Sequence, residues 1–327
     1  MIICLFDLTG YPTLQPVTAA PTTTAIPTVM PTLPFADFVD FKPLPDGYGN
    51  NVTAWDQHRV PRLFDWNSDG KLDLLVGSNG YIWLYLNTGT KYSAKFSAAY
   101  YLNVSDGAAI VTGDTEATFT IFDMNGDGVK DLVLADSSNR LAIYYNTAAN
   151  GATVQVFSNP IYANDSVLKA PLILPDRRFD IGDWNADGHP DLVTGTYEQN
   201  VYVILNLGNV GKTPVFNGTF TTLFSSSYNF YPRLYDINYD GKLDLAYGIN
   251  WGDIAYYLDP FYQGIGSSTD FSIEDASGTN INVRYLTDGA IIDFGDLNGD
   301  DSADMVIGGH TNSYLIFVAY ASVPRAP

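Results

Sequence analysis

The chain has 327 residues, 36 acidic against 16 basic side chains, and a formal charge of −20. That balance excludes a nucleic-acid partner and an anionic membrane surface, because phosphate binding needs Lys and Arg clusters that the scattered basic residues do not supply. A single cysteine, Cys4, excludes internal disulfides and cysteine zinc sites, and no apolar run reaches the roughly 18 residues of a membrane span.

The acids are lopsided, 33 Asp against 3 Glu. Asp favours turns, caps and oxygen-ligand sites where Glu favours helix interiors, so the imbalance points to loops. Met1–Phe6 is too short and lacks the basic flank of a signal peptide. From Tyr11 to Pro34 six Pro and seven Thr occur with no apolar period. Residues 1–34 therefore read as an extended Pro/Thr-rich tail or linker, and 35–327 as one repeat domain.

FADFVDFKP (Phe35–Pro43) is a strand-like segment that precedes the first repeat. The repeat marker is DWNSDGKLD from Asp65, which recurs as DMNGDGVKD from Asp123, DWNADGHPD from Asp183, DINYDGKLD from Asp236 and DLNGDDSAD from Asp296, at intervals of 58, 60, 53 and 60 residues. Each copy is entered by a short apolar run (RLFD, TIFD, DIGD, RLYD, DFGD) and left by another (LLVG, LVLA, LVTG, LAYG, MVIG). A third run follows (YIWLYLN, LAIYYN, VYVILN, DIAYYLD, SYLIFV), and a looser fourth is visible at Phe96–Leu102 and Phe157–Tyr162. Four short strands per repeat describe a blade of a β-propeller. The fifth repeat runs out after its third strand. The expectation is an all-β, five-bladed propeller of four-stranded blades in which Phe35–Pro43 completes the last blade. A piece of a larger propeller is the alternative.

The nonapeptide carries chemistry. Side-chain oxygens at positions 1, 3 and 5 of a tight loop converge, position 7 offers its carbonyl, position 9 adds a carboxylate, and a Gly at position 6 permits the left-handed turn. All-oxygen, carboxylate-rich ligation selects calcium, one ion per loop and up to five. The EF-hand reading fails because position 12 holds Val76, Leu134, Thr194, Tyr247 and Ile307, never the bidentate Glu, and the flanks are strands. In the fifth loop Asp301 replaces the Gly, which predicts a weaker site.

These units resemble FG-GAP repeats, also described as VCBS-type repeats, found in the propeller heads of integrin alpha subunits and in secreted and surface proteins and lectins. Carried over position by position, the resemblance implies calcium ligands Asp65, Asn67, Asp69, Lys71 (carbonyl) and Asp73 in the first loop. The second would use Asp123, Asn125, Asp127, Val129 (carbonyl) and Asp131, and the third Asp183, Asn185, Asp187, His189 (carbonyl) and Asp191. Asp236, Asn238, Asp240, Lys242 (carbonyl) and Asp244 follow, then Asp296, Asn298, Asp300, Ser302 (carbonyl) and Asp304. It also implies an extracellular or cell-surface binding module, although integrin heads have seven repeats and their partners are not transferable. Loops of this type bind calcium at roughly 10⁻⁴–10⁻³ M outside cells, which agrees with that compartment.

Sequons stand at Asn51, Asn103, Asn164 and Asn217. The phase of Asn103 and Asn164 predicts a place between blades on the face opposite the metal loops, leaving the long connection Asp259–Ala290 as a candidate for ligand contact. Only His58, His189 and His310 are available as imidazole bases, and no nucleophile-elbow or phosphate-cradling motif occurs. Trp66 and Trp184, at position 2 of two loops, either pack between blades or stack on sugars. Two readings stand: a recognition or adhesion module for a glycan or an extracellular protein, and the propeller part of a secreted polysaccharide-processing enzyme, a lyase or hydrolase.

Overall fold

The computed structural model describes residues 37–43, 58–112, 115–196, 200–225, 229–250, 252–266, 268–273, 289–309 and 315–320. The expected tail at 1–34, the sequon Asn51 and His310 lie outside them. Strand β1 (Asp37–Pro43) precedes the repeats. The first repeat forms β2 (Val60–Phe64), β3 (Asp73–Ser78), β4 (Tyr81–Tyr85) and β5 (Tyr100–Tyr101). The second forms β6 (Phe119–Phe122), β7 (Asp131–Ala135), β8 (Leu141–Tyr144) and β9 (Ile161–Tyr162). After the short β10 (Asn164–Asp165) and β11 (Ala170–Pro171), the third repeat supplies β12 (Arg178–Gly182), β13 (Asp191–Gly195) and β14 (Asn200–Ile204). Then come β15 (Asn206–Val210), β16 (Thr213–Phe216) and β17 (Thr221–Ser225).

The fourth repeat gives β18 (Phe230–Tyr235), β19 (Asp244–Ile249), β20 (Ile254–Tyr257), the one-turn helix α1 (Pro260–Gln263) and β21 (Thr269–Asp270). Last are β22 (Ser272–Ile273), β23 (Ile291–Gly295), β24 (Asp304–Gly308) and β25 (Ile316–Tyr320).

Four sheets repeat one antiparallel order: β2-β3-β4-β5, β6-β7-β8-β9, β12-β13-β14-β17 and β18-β19-β20-β21. In the fifth, β23-β24-β25 is extended by β1, which pairs antiparallel to β25 with Phe38 opposite Tyr320, and then by β22. An unexpected small sheet, β11-β10-β16-β15, arises because a hairpin through Gly211 intervenes between the third and fourth strands of the third repeat. The looser fourth runs shrink to two-residue strands, with Phe96 bridged to Asn87 and Phe157 to both Asn146 and Val104. The architecture is all-β and consistent with a β-propeller.

The second strand of each repeat is buried along its whole length, which is why LLVG and its counterparts read as unbroken apolar runs instead of alternating ones. Among the described residues, buried side chains gather at seams between repeats. Leu75 and Leu84 meet Phe119 and Leu132, Val133 and Ile143 meet Phe179 and Leu192, and Val193 and Val203 meet Phe230 and Leu245. Ala246 and Ile254 meet Ile292 and Met305, and Leu297 and Val306 meet Leu74 and Val76. The seams are close enough to exclude a side chain. A Cβ on Gly77, Gly195, Gly248 or Gly308 would lie 1.9, 2.4, 2.0 or 2.2 Å from the carbonyl oxygen of Ala117, Phe230, Ala290 or Arg59.

Candidate metal loops

Each nonapeptide joins the first and second strands of its sheet in one register. The residue before the first Asp always pairs with the ninth position: Phe64 with Asp73, Phe122 with Asp131, Gly182 with Asp191, Tyr235 with Asp244 and Gly295 with Asp304. Position 6 is left-handed in all five, Asp301 included at φ 63°. Position 4 is left-handed as well, at Ser68, Gly126, Ala186, Tyr239 and Gly299. Only Gly126 and Gly299, in the second and fifth loops, hint at this turn in the sequence; Ser68, Ala186 and Tyr239 give no warning of it.

Side chains at positions 1, 3 and 5 tie the turn together. Asp65 accepts the N–H groups of Asp69 at 3.0 Å and Gly70 at 2.9 Å, and Asp123, Asp183, Asp236 and Asp296 repeat the pair. The amide oxygens of Asn67, Asn125, Asn185, Asn238 and Asn298 accept the N–H of position 5. Asp69, Asp127, Asp187, Asp240 and Asp300 accept the N–H of position 7, whose carbonyls belong to Lys71, Val129, His189, Lys242 and Ser302. Such local bonds leave the second lone pairs of the same oxygens for a cation.

The ninth carboxylate is fully buried in all five loops. Asp73 accepts N–H bonds from Trp66 at 2.9 Å and from Asn87 at 2.6 Å, and Asp131 from Met124 and Asn146, each at 2.9 Å. Asp191 and Asp244 reach Asn206 and Asp259 in the same way, while Asp304 holds Leu297. Loop and third strand are thereby locked together. Asn87, Asn146, Asn206 and Asp259 are a set that the motif search missed, although their signal is the last letter of YLN, YYN, ILN and YLD. Burial, and after it the neighbouring carboxylates of the loop, raise Asp73, push Asp131 up to about 7, and push Asp191 and Asp244 up to about 6.

The donor set fits a hard cation such as calcium: three carboxylates and an amide oxygen per loop, grading from exposed at position 5 to buried at position 9. Among the described residues no three carboxylates or imidazoles converge as a ready-made cage. Instead, the Asn67, Asn125, Asn185 and Asn298 amides donate to the fifth-position Asp at 2.9–3.1 Å. In two loops a lysine supplies positive charge: Lys71 lies 3.0 Å from Asp69 and Lys242 3.0 Å from Asp240. The His189 side chain is exposed, as its place at a carbonyl position implies.

A groove of about 220 Å³ opens beside the first loop, between the first and second repeats. Its walls include Asn67, Tyr100, Tyr101, Asn103, Thr153 and Val154, and no carboxylate, lysine, arginine or imidazole is among its lining residues. Tyr100 and Tyr101 are about half exposed, while the Trp66 ring at the base is buried against Phe157. Trp184 is buried too, so at both positions packing is the observed role. Asn103 corrects the opposite-face expectation. The connection after β5 doubles back with Asn103 bridged to Ala109, and the sequon shares the groove with Asn67. Of the connection Asp259–Ala290, residues 274–288 lie outside the described residues.

A polar set also escaped the motif reading. Three positions before each loop stand Arg62, Thr120, Asp180, Arg233 and Asp293, the first letters of the lead-in runs. They lie on the first strands, each of which contacts the first strands of its neighbouring repeats, β23 and β2 included. Asp180 and Asp293 are fully buried, and Arg233 bridges them.

An all-β chain of repeated four-stranded sheets, each with an Asp-rich hairpin, defines a class of repeat protein. Residues 65–116 and 183–247 match the model of the FG-GAP-like repeat, which supports repeats of FG-GAP type in those two segments. No curated protein matches the sequence. Among solved structures, an Agrocybe aegerita lectin described as recognising non-reducing terminal N-acetylglucosamine is 18% identical, with 79% of this chain and 61% of the lectin covered and a TM-score of 0.40. The TcdB2–TccC3 structure is 17% identical over 87% of this chain and 15% of its own, with a TM-score of 0.39. BBS1N in complex with ARL6DN is 11% identical over 90% and 99%, with a TM-score of 0.40. The chain thus spans less than two thirds of the first two.

Proposed function

We propose that this chain is an extracellular recognition module, built as a five-bladed propeller over residues 35–327 behind a Pro/Thr-rich linker, and that it binds a glycan in the groove beside the first loop. The observation that carries the reading is the groove itself: two half-exposed tyrosines with amide and hydroxyl groups around them. Aromatic faces suit the apolar faces of sugar rings, and amides suit their hydroxyls. Five blades are supported by the seams, among them the Arg59 N–H bonded to the Gly309 carbonyl at 3.0 Å between the first and fifth repeats. The pairing of β1 with β25 supports closure by the N-terminal strand. Calcium in up to five loops is structural in this reading, standing in for absent disulfides.

The test is a glycan-array and surface-protein screen, with and without a chelator, on wild type and on Tyr100→Ala/Tyr101→Ala. Asn103 lines the groove, so the screen uses deglycosylated protein. Glycan binding that the double variant loses supports the reading. Binding to a surface protein alone replaces the ligand class, and turnover of a polysaccharide by wild type would establish the enzyme instead.

A further inference from the structure

We infer that calcium binding in the first loop and calcium binding in the second are coupled through Gln155, so that filling either loop strengthens binding in the other; this rests on the calcium reading of the loops. Gln155 belongs to the connection between β8 and β9 of the second repeat, yet it reaches the loop of the first. Its Nε2 donates to the Trp66 carbonyl, at position 2 of the first loop, at 2.7 Å, and to the Ala152 carbonyl at 2.8 Å. Its Oε1 accepts from Asn146 Nδ2. The two ends of one amide thus touch two residues whose N–H groups are held by buried ninth-position carboxylates. Trp66 donates to Asp73 and Asn146 to Asp131, each at 2.9 Å. A run of hydrogen-bonded residues therefore joins the two loops in the order Asp73, Trp66, Gln155, Asn146, Asp131.

Only this pair of loops is joined side chain to side chain. Between the third repeat and the second loop, Asn209 Nδ2 reaches the Met124 carbonyl at 3.3 Å, but it is Asn206, three residues away, whose N–H Asp191 holds. Among the described residues no side chain is bonded to the carbonyls of Trp184, Ile237 or Leu297, the second positions of the other three loops. Trp66 and Asn146 are buried, so water competes little for the bridge between them.

A cation in the first loop fixes Asp73 and the turn that carries the Trp66 carbonyl. Gln155 is then held at one end, and Asn146, whose N–H orients Asp131, has less freedom left to lose when the second loop takes its own cation. Ordering done by the first binding event is not repeated by the second, which is positive coupling, and linkage makes it reciprocal. Net bonds of this kind change an affinity by about threefold to tenfold. Charge acts in the opposite sense, because a filled loop attracts the next cation less, but at about 0.15 M salt it is screened beyond about 8 Å. Gln155 also lines the groove beside the first loop, so the proposed ligand and both loops meet at one side chain.

The experiment is a calcium titration of the full chain, isotopically labelled at glycine and followed by NMR at about 0.15 M salt. Gly70, Gly128 and Gly241 donate their N–H groups to the first aspartate of their own loops at 2.9, 2.8 and 2.8 Å, so their signals report the first, second and fourth loops separately. Asp69→Ala, which disables the first loop, is expected to raise the calcium midpoint of Gly128 about threefold to tenfold and to leave that of Gly241 in place. In the Gln155→Leu background, Asp69→Ala is expected to leave the Gly128 midpoint unmoved. A Gly128 midpoint indifferent to Asp69→Ala in the otherwise wild-type chain overturns the coupling, and a shift that survives Gln155→Leu overturns the role of Gln155. Should Gln155→Leu fail to fold, the comparison of Gly128 with Gly241 in Asp69→Ala decides alone. If no glycine signal of the wild type responds to calcium, the calcium reading itself fails and this inference falls with it.

Discussion

Asp180 on β12 and Arg233 on β18 are joined at 2.7 Å with the carboxylate fully buried, and the same guanidinium holds Asp293. A buried pair of this kind contributes little beyond what an apolar pair of similar shape would, but losing one partner leaves the other charge stranded. Asp180→Asn is therefore expected to cost about 3–5 kcal/mol at pH 7, read from urea denaturation. Burial alone would raise the Asp180 pKa. Arg233 and Arg62, with the Thr120 and Leu234 bonds, outweigh it and hold the carboxylate below its ordinary value. A depressed folded pKa contributes stability that is complete above the unfolded value, near ~4, and is lost as pH falls through the folded one. The gap between wild type and Asp180→Asn should accordingly narrow below about pH 4; a gap constant down to pH 3 would contradict this account.

Gly308 on β24 tests the seam between the fifth and first repeats. A Cβ there would lie 2.2 Å from the Arg59 carbonyl oxygen, which belongs to the backbone and cannot rotate away. Gly308→Ala is expected to destabilise by about 3 kcal/mol, as overpacking in a rigid core does. The second repeat carries Ala135 at the equivalent place, so Ala135→Gly is the control and should cost only about 0.5–1 kcal/mol. Equal and small effects at the two sites, measured by denaturant midpoint, would mean that the fifth and first repeats do not pack as described.

Much of this organisation was legible in the residues. The nonapeptides located the hairpins because Asp, Asn and Gly have few other uses at that spacing, and the Phe- and Val-containing run FADFVDFKP announced β1. Polar residues on the first strands were harder to see: the Arg of RLFD or the Asp of DIGD is one letter inside an apolar run, and its meaning depends on residues about sixty positions away. The groove was illegible for a related reason. Tyr100 and Tyr101 lie on a two-residue strand whose position follows from the doubling back of residues 102–110, which no local pattern encodes.

Calcium removal should be felt throughout the fold. In each loop a fully buried ninth-position carboxylate shares a tight turn with two other carboxylates, and the calcium proposed above would offset their repulsion. At a free concentration ten times its Kd, each loop that binds calcium adds about 1.4 kcal/mol, so several filled loops raise Tm by several degrees. Magnesium, which gives up its water reluctantly, should do less at the same concentration. Melting curves that coincide in calcium, magnesium and chelator would remove calcium from the account while leaving the repeat fold intact.

Lys242 distinguishes the fourth loop from the second. Its ammonium lies 3.0 Å from Asp240 and 2.7 Å from Asp259, and the backbone N–H of Asp259 in turn holds the buried Asp244. The second loop has Val129 at the same position and no such counter-charge. Without metal, Lys242→Met exposes Asp240 and Asp259 to each other and to Asp244, so its Tm should fall below that of wild type in chelator. With calcium bound, the ion supplies the missing positive charge and the two proteins should melt closer together. Val129→Lys should do the reverse, stabilising the metal-free second loop and reducing the gain on adding calcium. If Lys242→Met lowers Tm equally with and without calcium, the lysine is a packing residue whose ammonium does no work for the loop.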